Sequence, residues 1–309
     1  MLTVDLPRSA LAHEYLLDGV FSFTALHLAF DNQADPATLD HYVSAAILFR
    51  NRGLQRAAPA LQDFHLRDSE PEPREVFALF WFSAFAGMIT LALTLVTRRD
   101  PSSFASPDAS GSRFPFLSMQ VELTQLWRGS RAIMEIASTF GIGLDFVSVE
   151  PPSADELKAN EGRLDAEIQA RLSQLEILNN KSRPTDPSAD ADEHERLYRD
   201  SVRILRDGYG TWAGSGNLNV LMSWSAALGN EFALLLKQEA HLPLINVLCY
   251  GVLFEVTQQS SGRWWMKGAG KSLVDDCSAA LTGCPDEWQD LIQWARAKVE
   301  LPVIQSPRG

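Results

Sequence analysis

VFALFWFSAFAGMITLALTLV, residues 76 to 96, is a stretch of 21 residues without a charged side chain. As a helix it would be long enough to cross a bilayer. It would equally suit the centre of a helical protein, because a helix that is covered on every side is apolar all round. Only one such run exists, and the remaining segments are amphipathic and need a centre to pack on. We therefore favour a buried helix and predict no stable membrane span.

Helical periodicity continues on both sides of this stretch. Apolar side chains recur at helical spacing from Leu16 through Val20 and Phe23 to Leu26. Further helices are predicted at residues 36–61, 76–96, 117–140, 153–178, 193–208, 217–237, 241–258, 265–282 and 286–298. One doubtful extended run, LDFVSV, occupies residues 144–149. The predicted fold class is therefore all-α.

We found no linker that clearly separates two cores, so residues 1–309 are predicted to form a single helical domain. Two stretches rich in Pro, Ser and Asp interrupt the helical pattern, near residues 99–115 and 179–192. Such compositions favour loops, and we expect both loops to be mobile.

The charge balance of the chain argues against nucleic acid as a direct partner. The 309 residues include 39 Asp and Glu against 27 Lys and Arg, which gives a net charge of −12 and a sequence pI near 5.0. Non-specific binding to nucleic acid depends on basic side chains that displace counterions from phosphates. We therefore expect no direct nucleic-acid binding through this chain.

Cysteine spacing and the amino terminus indicate neither a metal site nor secretion. Cys249, Cys277 and Cys284 lack the Cys-x-x-Cys spacing of a zinc site, and three is too few for a disulfide framework. The first residues carry Arg8 and Glu14 where a signal peptide would have its apolar core. We expect reduced thiols, no metal and a cytoplasmic location.

The run RWWMKGAGKSL, residues 263–273, superficially resembles a phosphate-binding loop. That loop needs a glycine five residues before Gly270, because backbone N–H groups wrap the phosphates there, and this position is Trp265. The preceding segment is also an apolar stretch of helical length rather than a strand. We reject a nucleotide site and predict no cofactor.

Eight segments, taken in order, carry a family resemblance over almost the whole chain. They are LPRSALAHEYLLDGVFSFTALHLAF (6–30), the helix beginning at Tyr42, VFALFWFSAFAG (76–87), LWRGSRAIMEIA (126–137), SWSAALGNEFALLLK (223–237), LPLINVLCYGVLFEV (242–256), and RWWMKGAGKSL with EWQDLIQWARAKVEL (287–301). The chain resembles the C-terminal regulatory domain of fungal binuclear zinc-cluster transcription factors of the sterol uptake control type.

The resemblance implies an all-helical domain that encloses an apolar pocket for a sterol- or terpenoid-like molecule. In that family, pocket occupancy controls nuclear entry and gene activation. The chain departs from the pattern, because the six-cysteine zinc cluster and its basic linker are absent from residues 1–309. The chain would then be either part of a regulator, with a nuclear location, or a stand-alone protein that descends from such a regulator. The sequence leaves open whether the chain forms a homodimer.

A stand-alone descendant suggests an enzyme as the alternative function. A preformed apolar pocket with few polar groups suits small-molecule chemistry. Binding a polyene or terpenoid in a folded conformation accelerates a cyclisation or cycloaddition through orientation, and hydrogen bonds to a carbonyl would add to that effect. The alternative is thus a cofactor-free cyclase, isomerase or pericyclase of the Diels-Alderase type, acting on a terpenoid or polyketide.

Candidate ligand contacts come from the aromatic and polar residues of these segments. If His27 is not a ligand contact, it satisfies a hydrogen bond in the core. If Glu255 is not a ligand contact, it marks the solvent side of its helix. Asp275 and Asp276 are adjacent, so they face different sides of a helix and form no catalytic pair. The predicted ligand-binding residues are Phe21, His27, Phe80, Phe85, Met88, Trp224, Tyr250, Phe254, Glu255 and Trp264. We assign no catalytic residue.

Overall fold

The computed structural model describes residues 2–67, 69–97, 113–142, 153–181, 189–216 and 219–302, and within these ranges every regular element is helical. The first helices are α1 (Leu2–Ala12), α2 (Glu14–Asp31), α3 (Pro36–Leu66), α4 (Pro73–Thr97), α5 (Pro115–Thr139), α6 (Ala154–Glu161) and α7 (Ala166–Lys181). They are followed by α8 (Ala189–Ser215), α9 (Asn219–Ala227), α10 (Asn230–Lys237), α11 (His241–Ser261), a 3-10 turn (Trp264–Met266), α12 (Ala269–Ala280) and α13 (Asp286–Lys298). The prediction of an all-α fold is confirmed.

The chain is a single all-α domain whose internal contacts group into two compact units. Unit 1 comprises residues 1–106 and 125–150, and unit 2 comprises residues 107–124 and 151–309. The boundary falls inside α5, so that this helix contributes residues to both units.

Helix positions agree with the sequence pattern better than helix ends do. The predicted helix at 286–298 is α13, but the predicted helix at 153–178 is divided into α6 and α7. The break lies at Gly162–Asp165, where the Asp165 carboxylate accepts a hydrogen bond from the Glu167 N–H at 2.7 Å and caps α7. The predicted helix at 217–237 is likewise divided, because Gly229 is the N-cap of α10.

The two predicted loops and the doubtful strand fall largely outside the described residues. Residues 99–112, 144–149 and 182–188 belong to the stretches that the structure leaves undescribed. The remaining parts of the predicted loops are helical or adjoin a helix, since Pro115 begins α5, α7 continues to Lys181 and α8 begins at Ala189. The predicted loop boundaries were therefore too wide.

In unit 1, a buried carboxylate joins α2 to α3. Asp18 is 1% exposed and accepts hydrogen bonds from the guanidinium groups of Arg52 and Arg56, the latter at 2.9 Å. Further along the pair, the Ser22 hydroxyl donates to the Ala46 carbonyl at 2.8 Å. A buried carboxylate needs such partners because an unpaired charge in an apolar interior is very costly. These contacts fix the register of the two helices.

Helix α4 contains the charge-free stretch 76–96. In the part of the chain that the structure describes, it is the one helix that is long and apolar enough to cross a membrane, although α10 and α11 would also qualify if their 102° bend joined one broken span. In the most apolar window of α4, 72% of the residues are buried. This burial agrees with the predicted core helix.

Small residues allow α4 and α5 to approach closely within unit 1. The Ser83 hydroxyl donates to the Leu126 carbonyl at 3.2 Å and accepts from the Ser130 hydroxyl at 2.9 Å. One turn from Ser83, Gly87 lies directly against the indole of Trp127, and a Cβ at Gly87 would be 2.2 Å from the indole nitrogen. The absence of a side chain at Gly87 therefore makes room for the Trp127 ring.

In unit 2, α11 is the central helix, and nearly all of its residues from Leu242 to Thr257 are buried. Helix α12 packs against it with almost no side chain between the two backbones. A Cβ at Gly270 would lie 2.5 Å from the Gly251 carbonyl oxygen and 2.4 Å from the Glu255 nitrogen. The second glycine of the GAGK run thus serves helix packing, as expected if the run does not bind phosphate.

Unit 2 also contains a long-range cap at the beginning of α5. Pro115 occupies the first helical position, where its missing N–H has no cost, and the next two N–H groups, of Phe116 and Leu117, donate to the Asp276 carboxylate at 2.7 and 3.2 Å. Its neighbour Asp275 accepts instead from Arg296 at 2.9 Å. The two aspartates therefore face different partners, as the sequence indicated.

We expect Asp276→Ala to lower the free energy of unfolding by roughly 1–3 kcal/mol, because two buried N–H groups lose their acceptor. Asp276→Asn keeps an acceptor oxygen and should lose about half as much. Urea unfolding followed by circular dichroism measures both effects. Equal stability of the alanine variant and the wild type would contradict this role for Asp276.

Candidate functional site

The candidate site is a group of fully buried residues around Tyr250 in unit 2, which we call the Tyr250 cluster. It consists of Gln120, Trp224, Ser225, Tyr250 and Phe254. The Trp224 and Tyr250 rings are stacked, with centroids 4.2 Å apart and an interplanar angle of 18°. Phe254 packs edge-on against Tyr250 at 5.9 Å. The three rings form one closely packed aromatic group.

Spacing along the sequence accounts for two local pairs of cluster residues, one on α11 and one on α9. Tyr250 and Phe254 are four residues apart on α11 and so lie on one face of that helix. Trp224 and Ser225 are neighbours on α9, and the Trp224 N–H donates to the Ser201 carbonyl at 3.1 Å, which fixes the indole plane. Gln120 comes from α5, far away in the chain.

A chain of hydrogen bonds runs through the Tyr250 cluster. The Gln120 amide donates from Nε2 to the Ser225 hydroxyl at 2.8 Å. The Ser225 hydroxyl donates to the Tyr250 hydroxyl at 3.3 Å, and the latter donates to the Leu221 carbonyl at 2.8 Å. Burial raises the pKa of Tyr250 well above its usual value, so the phenol keeps its proton at neutral pH.

One polar atom of the Tyr250 cluster has no partner. The Gln120 side-chain oxygen Oε1 is buried and accepts no hydrogen bond from any residue in the described ranges. A buried acceptor without a donor costs on the order of 1–3 kcal/mol. Native proteins seldom leave such a group unsatisfied, and a bound water or ion is a common partner.

A second unsatisfied acceptor lies one helical turn from Tyr250. Asn246 is fully buried on α11, and its Nδ2 donates to the Leu242 carbonyl at 2.9 Å. Its Oδ1 has no hydrogen-bond partner in the described part of the chain. The α11 face that presents Tyr250 therefore carries a further acceptor.

The chemistry available at the Tyr250 cluster is that of a neutral binding site. Its five side chains carry no formal charge, and three of them are aromatic. Such a surface suits an apolar molecule, while the free amide oxygen suits a hydrogen-bond donor on that molecule. The Tyr250 cluster thus combines three aromatic rings with one amide acceptor and contains no formal charge.

Three of the ten predicted ligand contacts, Trp224, Tyr250 and Phe254, come together in this cluster. Glu255 also lies in unit 2, and its carboxylate accepts from the Lys271 N–H at 3.0 Å in the first turn of α12. There it offsets the positive end of the helix dipole. Trp264 lies half-buried in the 3-10 turn.

The other five predicted contacts lie in unit 1. Phe21 is 43% exposed and packs against Phe49. The His27 side chain is half exposed, with its Nε2 3.7 Å from an Asp31 oxygen. Phe80 and Phe85 are buried, and Met88 is partly buried on α4. The half-exposed positions of Phe21 and His27 give them the least support as contacts of an enclosed ligand.

Three residues of the site region escaped the sequence analysis: Gln120, Ser225 and Asn246. Asn246 had a usable signal, because an amide inside LPLINVLCYG is a polar residue in a segment that is otherwise apolar. Gln120 and Ser225 had none, since helical segments commonly carry such residues on their solvent side. Only the packing of α5, α9 and α11 shows that these side chains are buried.

Thiol chemistry and metal binding receive no support. Burial raises the pKa of the Cys249 thiol to about 12, and burial together with Asp276 raises the pKa of Cys277 well above its usual value. Neither thiol is therefore a good nucleophile. Within the described residues, no group of three or more His, Cys, Asp or Glu side chains could hold a metal ion.

Comparison with protein-family models, with curated proteins and with solved structures found no match for this chain. The resemblance to the fungal regulators consequently stays a prediction from the sequence, as does the enclosed apolar pocket. What is known of the site rests on its own geometry.

Proposed function

We propose that this chain binds a lipophilic small molecule, sterol- or terpenoid-like, at the Tyr250 cluster, and that it acts as a ligand-sensing domain of the transcription-regulator type. The observation that carries the proposal is the buried Gln120 oxygen, which has no partner among the described residues, on an amide that is linked through Ser225 to the stacked rings of Tyr250 and Trp224. A polar group of this kind is retained at a cost in stability where function needs it.

Energetics favour a largely apolar ligand. Each Å² of apolar surface that leaves water contributes about 25 cal/mol, so a molecule burying roughly 400 Å² would gain about 10 kcal/mol before the cost of association is subtracted. The aromatic side chains Trp224, Tyr250 and Phe254 can supply such contacts. A charged ligand would find no counter-ion among the five residues of the cluster.

The role in sensing is supported by the family resemblance. A sensing domain must bind its ligand without consuming it. The Tyr250 phenol is already engaged with the Leu221 carbonyl and keeps its proton, so it is not set up to transfer that proton to a ligand. The cyclase alternative stays a prediction.

The test is capture of a ligand from a total lipid extract by the purified chain, followed by mass spectrometry of the released species. We expect one lipophilic species to be enriched and unchanged in mass. Trp224→Phe should lower its affinity roughly 5–10-fold, because a smaller ring covers less of the ligand. Trp288→Phe is the matched control, since Trp288 is a buried tryptophan of unit 2 (4% exposed) outside the cluster.

Two outcomes would overturn the proposal. Enrichment no greater than on an unrelated helical protein would exclude ligand binding. Equal losses from Trp224→Phe and Trp288→Phe would exclude the Tyr250 cluster as the site. Recovery of a species rearranged relative to the extract would instead support the cyclase alternative.

A further inference from the structure

The solvent side of α3 in unit 1 carries large apolar side chains. Ala46, Gly53 and Ala57 mark the buried side of this helix, and the residues that helical spacing places on the opposite side are all exposed. We call the following residues the outer face of α3: Ser44, Ile47, Leu48, Asn51, Leu54 and Gln55. Leu48 is 62% exposed, and Ile47 and Leu54 are 39% and 37% exposed.

None of the six residues of the outer face is charged, although three arginines occur in the same stretch of sequence. Arg52 and Arg56 turn toward α2, where both donate to the Asp18 carboxylate. Arg50 turns to the other flank of α3 and donates to the Thr90 hydroxyl of α4 at 3.3 Å. The fold thus directs the nearby cations sideways and leaves the outer face neutral.

Helix α2 extends this apolar surface. Phe21 and Leu28 are seven residues apart and so share one face of α2, and they are 43% and 39% exposed. The Phe21 ring lies 5.4 Å from the ring of Phe49 on α3, so the exposed sides of the two helices are continuous. Single exposed apolar residues are common, but a contiguous group of them indicates an interaction surface.

We propose that this surface of α2 and α3 is the interface of a homodimer, in which two copies pack antiparallel around a two-fold axis near Leu48. A two-fold interface joins the same patch of both copies, so a charged patch would meet its own sign. The neutral outer face avoids that repulsion, which is otherwise expected between two chains that each carry a net charge of −12. The proposal does not depend on a ligand at the Tyr250 cluster.

Charges beside the outer face suit the antiparallel arrangement. Asp40 and Arg56 are exposed and lie at equal distances before and after Leu48 in the helix, about 12 Å along its axis. A two-fold axis near Leu48 therefore brings Asp40 of one copy to the level of Arg56 of the other. A parallel pairing would instead bring each of these charges to the level of its own sign. Such complementarity fixes the register of an interface.

The size of the surface is close to what a stable dimer needs. Helix α3 has 31 residues and α2 has 18, which makes them about 46 Å and 27 Å long and about 10 Å wide. Their exposed sides together offer roughly 700 Å², and each partner of a standard interface contributes about 800 Å². We expect a dissociation constant of about 1–100 μM for an interface at the lower end of that range.

Sedimentation equilibrium of the full chain at about 1–300 μM measures this association. The wild type should approach twice its chain mass of 34.2 kDa as the concentration rises. Leu48→Glu should weaken association by at least about 100-fold, because two like charges would be buried near the axis without partners. Leu234→Glu is the matched control, since Leu234 is 54% exposed on α10 in unit 2. It should associate as the wild type does.

Both leucines are exposed, so the circular dichroism and Tm of the two glutamate variants should match those of the wild type. Three results would overturn the proposal. They are a wild type that stays monomeric at the highest concentration, even if its α2–α3 surface binds another protein, a dimer that Leu48→Glu leaves intact, and equal losses of association in Leu48→Glu and Leu234→Glu.

Leu48→Cys provides a second readout that introduces no charge. A residue at a two-fold axis meets its own counterpart. Cys249, Cys277 and Cys284 are buried, so a bismaleimide with a short spacer should react at the introduced thiol and link two chains of the Leu48→Cys protein. The Leu234→Cys protein should stay unlinked. Absence of a link at position 48, in a protein that still associates, would exclude the two-fold axis at this surface.

Discussion

Replacing Gly270 by alanine is expected to cause the largest loss of stability of any single methyl addition considered for unit 2. The new Cβ would lie 2.4 Å from the Glu255 nitrogen, 2.5 Å from the Gly251 carbonyl oxygen and 2.8 Å from the Glu255 Cα. All three are backbone atoms of α11, so no side chain can rotate away. The helices must separate, at a cost of roughly 3–5 kcal/mol.

Thermal unfolding measures this effect, and a loss of that size should lower Tm by about 5–15 °C. Gly208→Ala is the matched control, because Gly208 is a helical glycine of unit 2 whose added Cβ would meet only a Leu253 methyl group at 3.4 Å. It should be neutral or slightly stabilising, as expected for alanine in a helix. A Gly270→Ala protein as stable as the Gly208→Ala protein would exclude the close contact between α11 and α12.

Gly87→Ala is expected to have the second-largest effect, this time in unit 1. The added Cβ would lie 2.2 Å from the indole nitrogen and 2.8 Å from Cδ1 of Trp127, a ring that is only 2% exposed. A rigid, buried ring can yield only if α4 and α5 shift or the ring leaves its rotamer. We expect a loss of roughly 2–4 kcal/mol in the free energy of unfolding.

A double-mutant cycle identifies Trp127 as the cause. Trp127→Phe removes the indole nitrogen, which is the ring atom nearest to the new methyl group, so Gly87→Ala combined with Trp127→Phe should be more stable than Gly87→Ala alone. The coupling between the two substitutions is measured by urea unfolding of the four proteins. Strictly additive losses would show that Gly87 and Trp127 do not interact.

Both glycines lie in stretches that the sequence analysis had singled out for other reasons. Gly87 lies in the charge-free stretch 76–96, which has the length of a membrane span, and Gly270 lies in the run 263–273, which superficially resembles a phosphate loop. In each case the position is explained by helix packing. A glycine on the face of a helix allows a neighbouring backbone or ring to come closer than any other residue would.

The candidate site shows which of its residues could be predicted from local sequence pattern and which could not. The 3.6-residue period places Tyr250 and Phe254 on one face of α11, and aromatic composition made them reasonable predictions together with Trp224. Nothing local to Gln120 could indicate that its amide is buried, because α5 meets α9 only in the folded chain. The unsatisfied acceptor, on which the proposed function rests, was therefore beyond reach of the sequence.

Helix content and the apolar centre of each segment follow from properties that a short window of residues already contains, namely side-chain periodicity and backbone propensity. This is why the all-α class and helix α13 could be predicted from the chain alone. The contact of Gly270 with α11 and the contact of the Gln120 amide with Ser225 depend on groups that are distant in sequence. Folding brings those groups together, and their distances and donors exist in no window of the sequence.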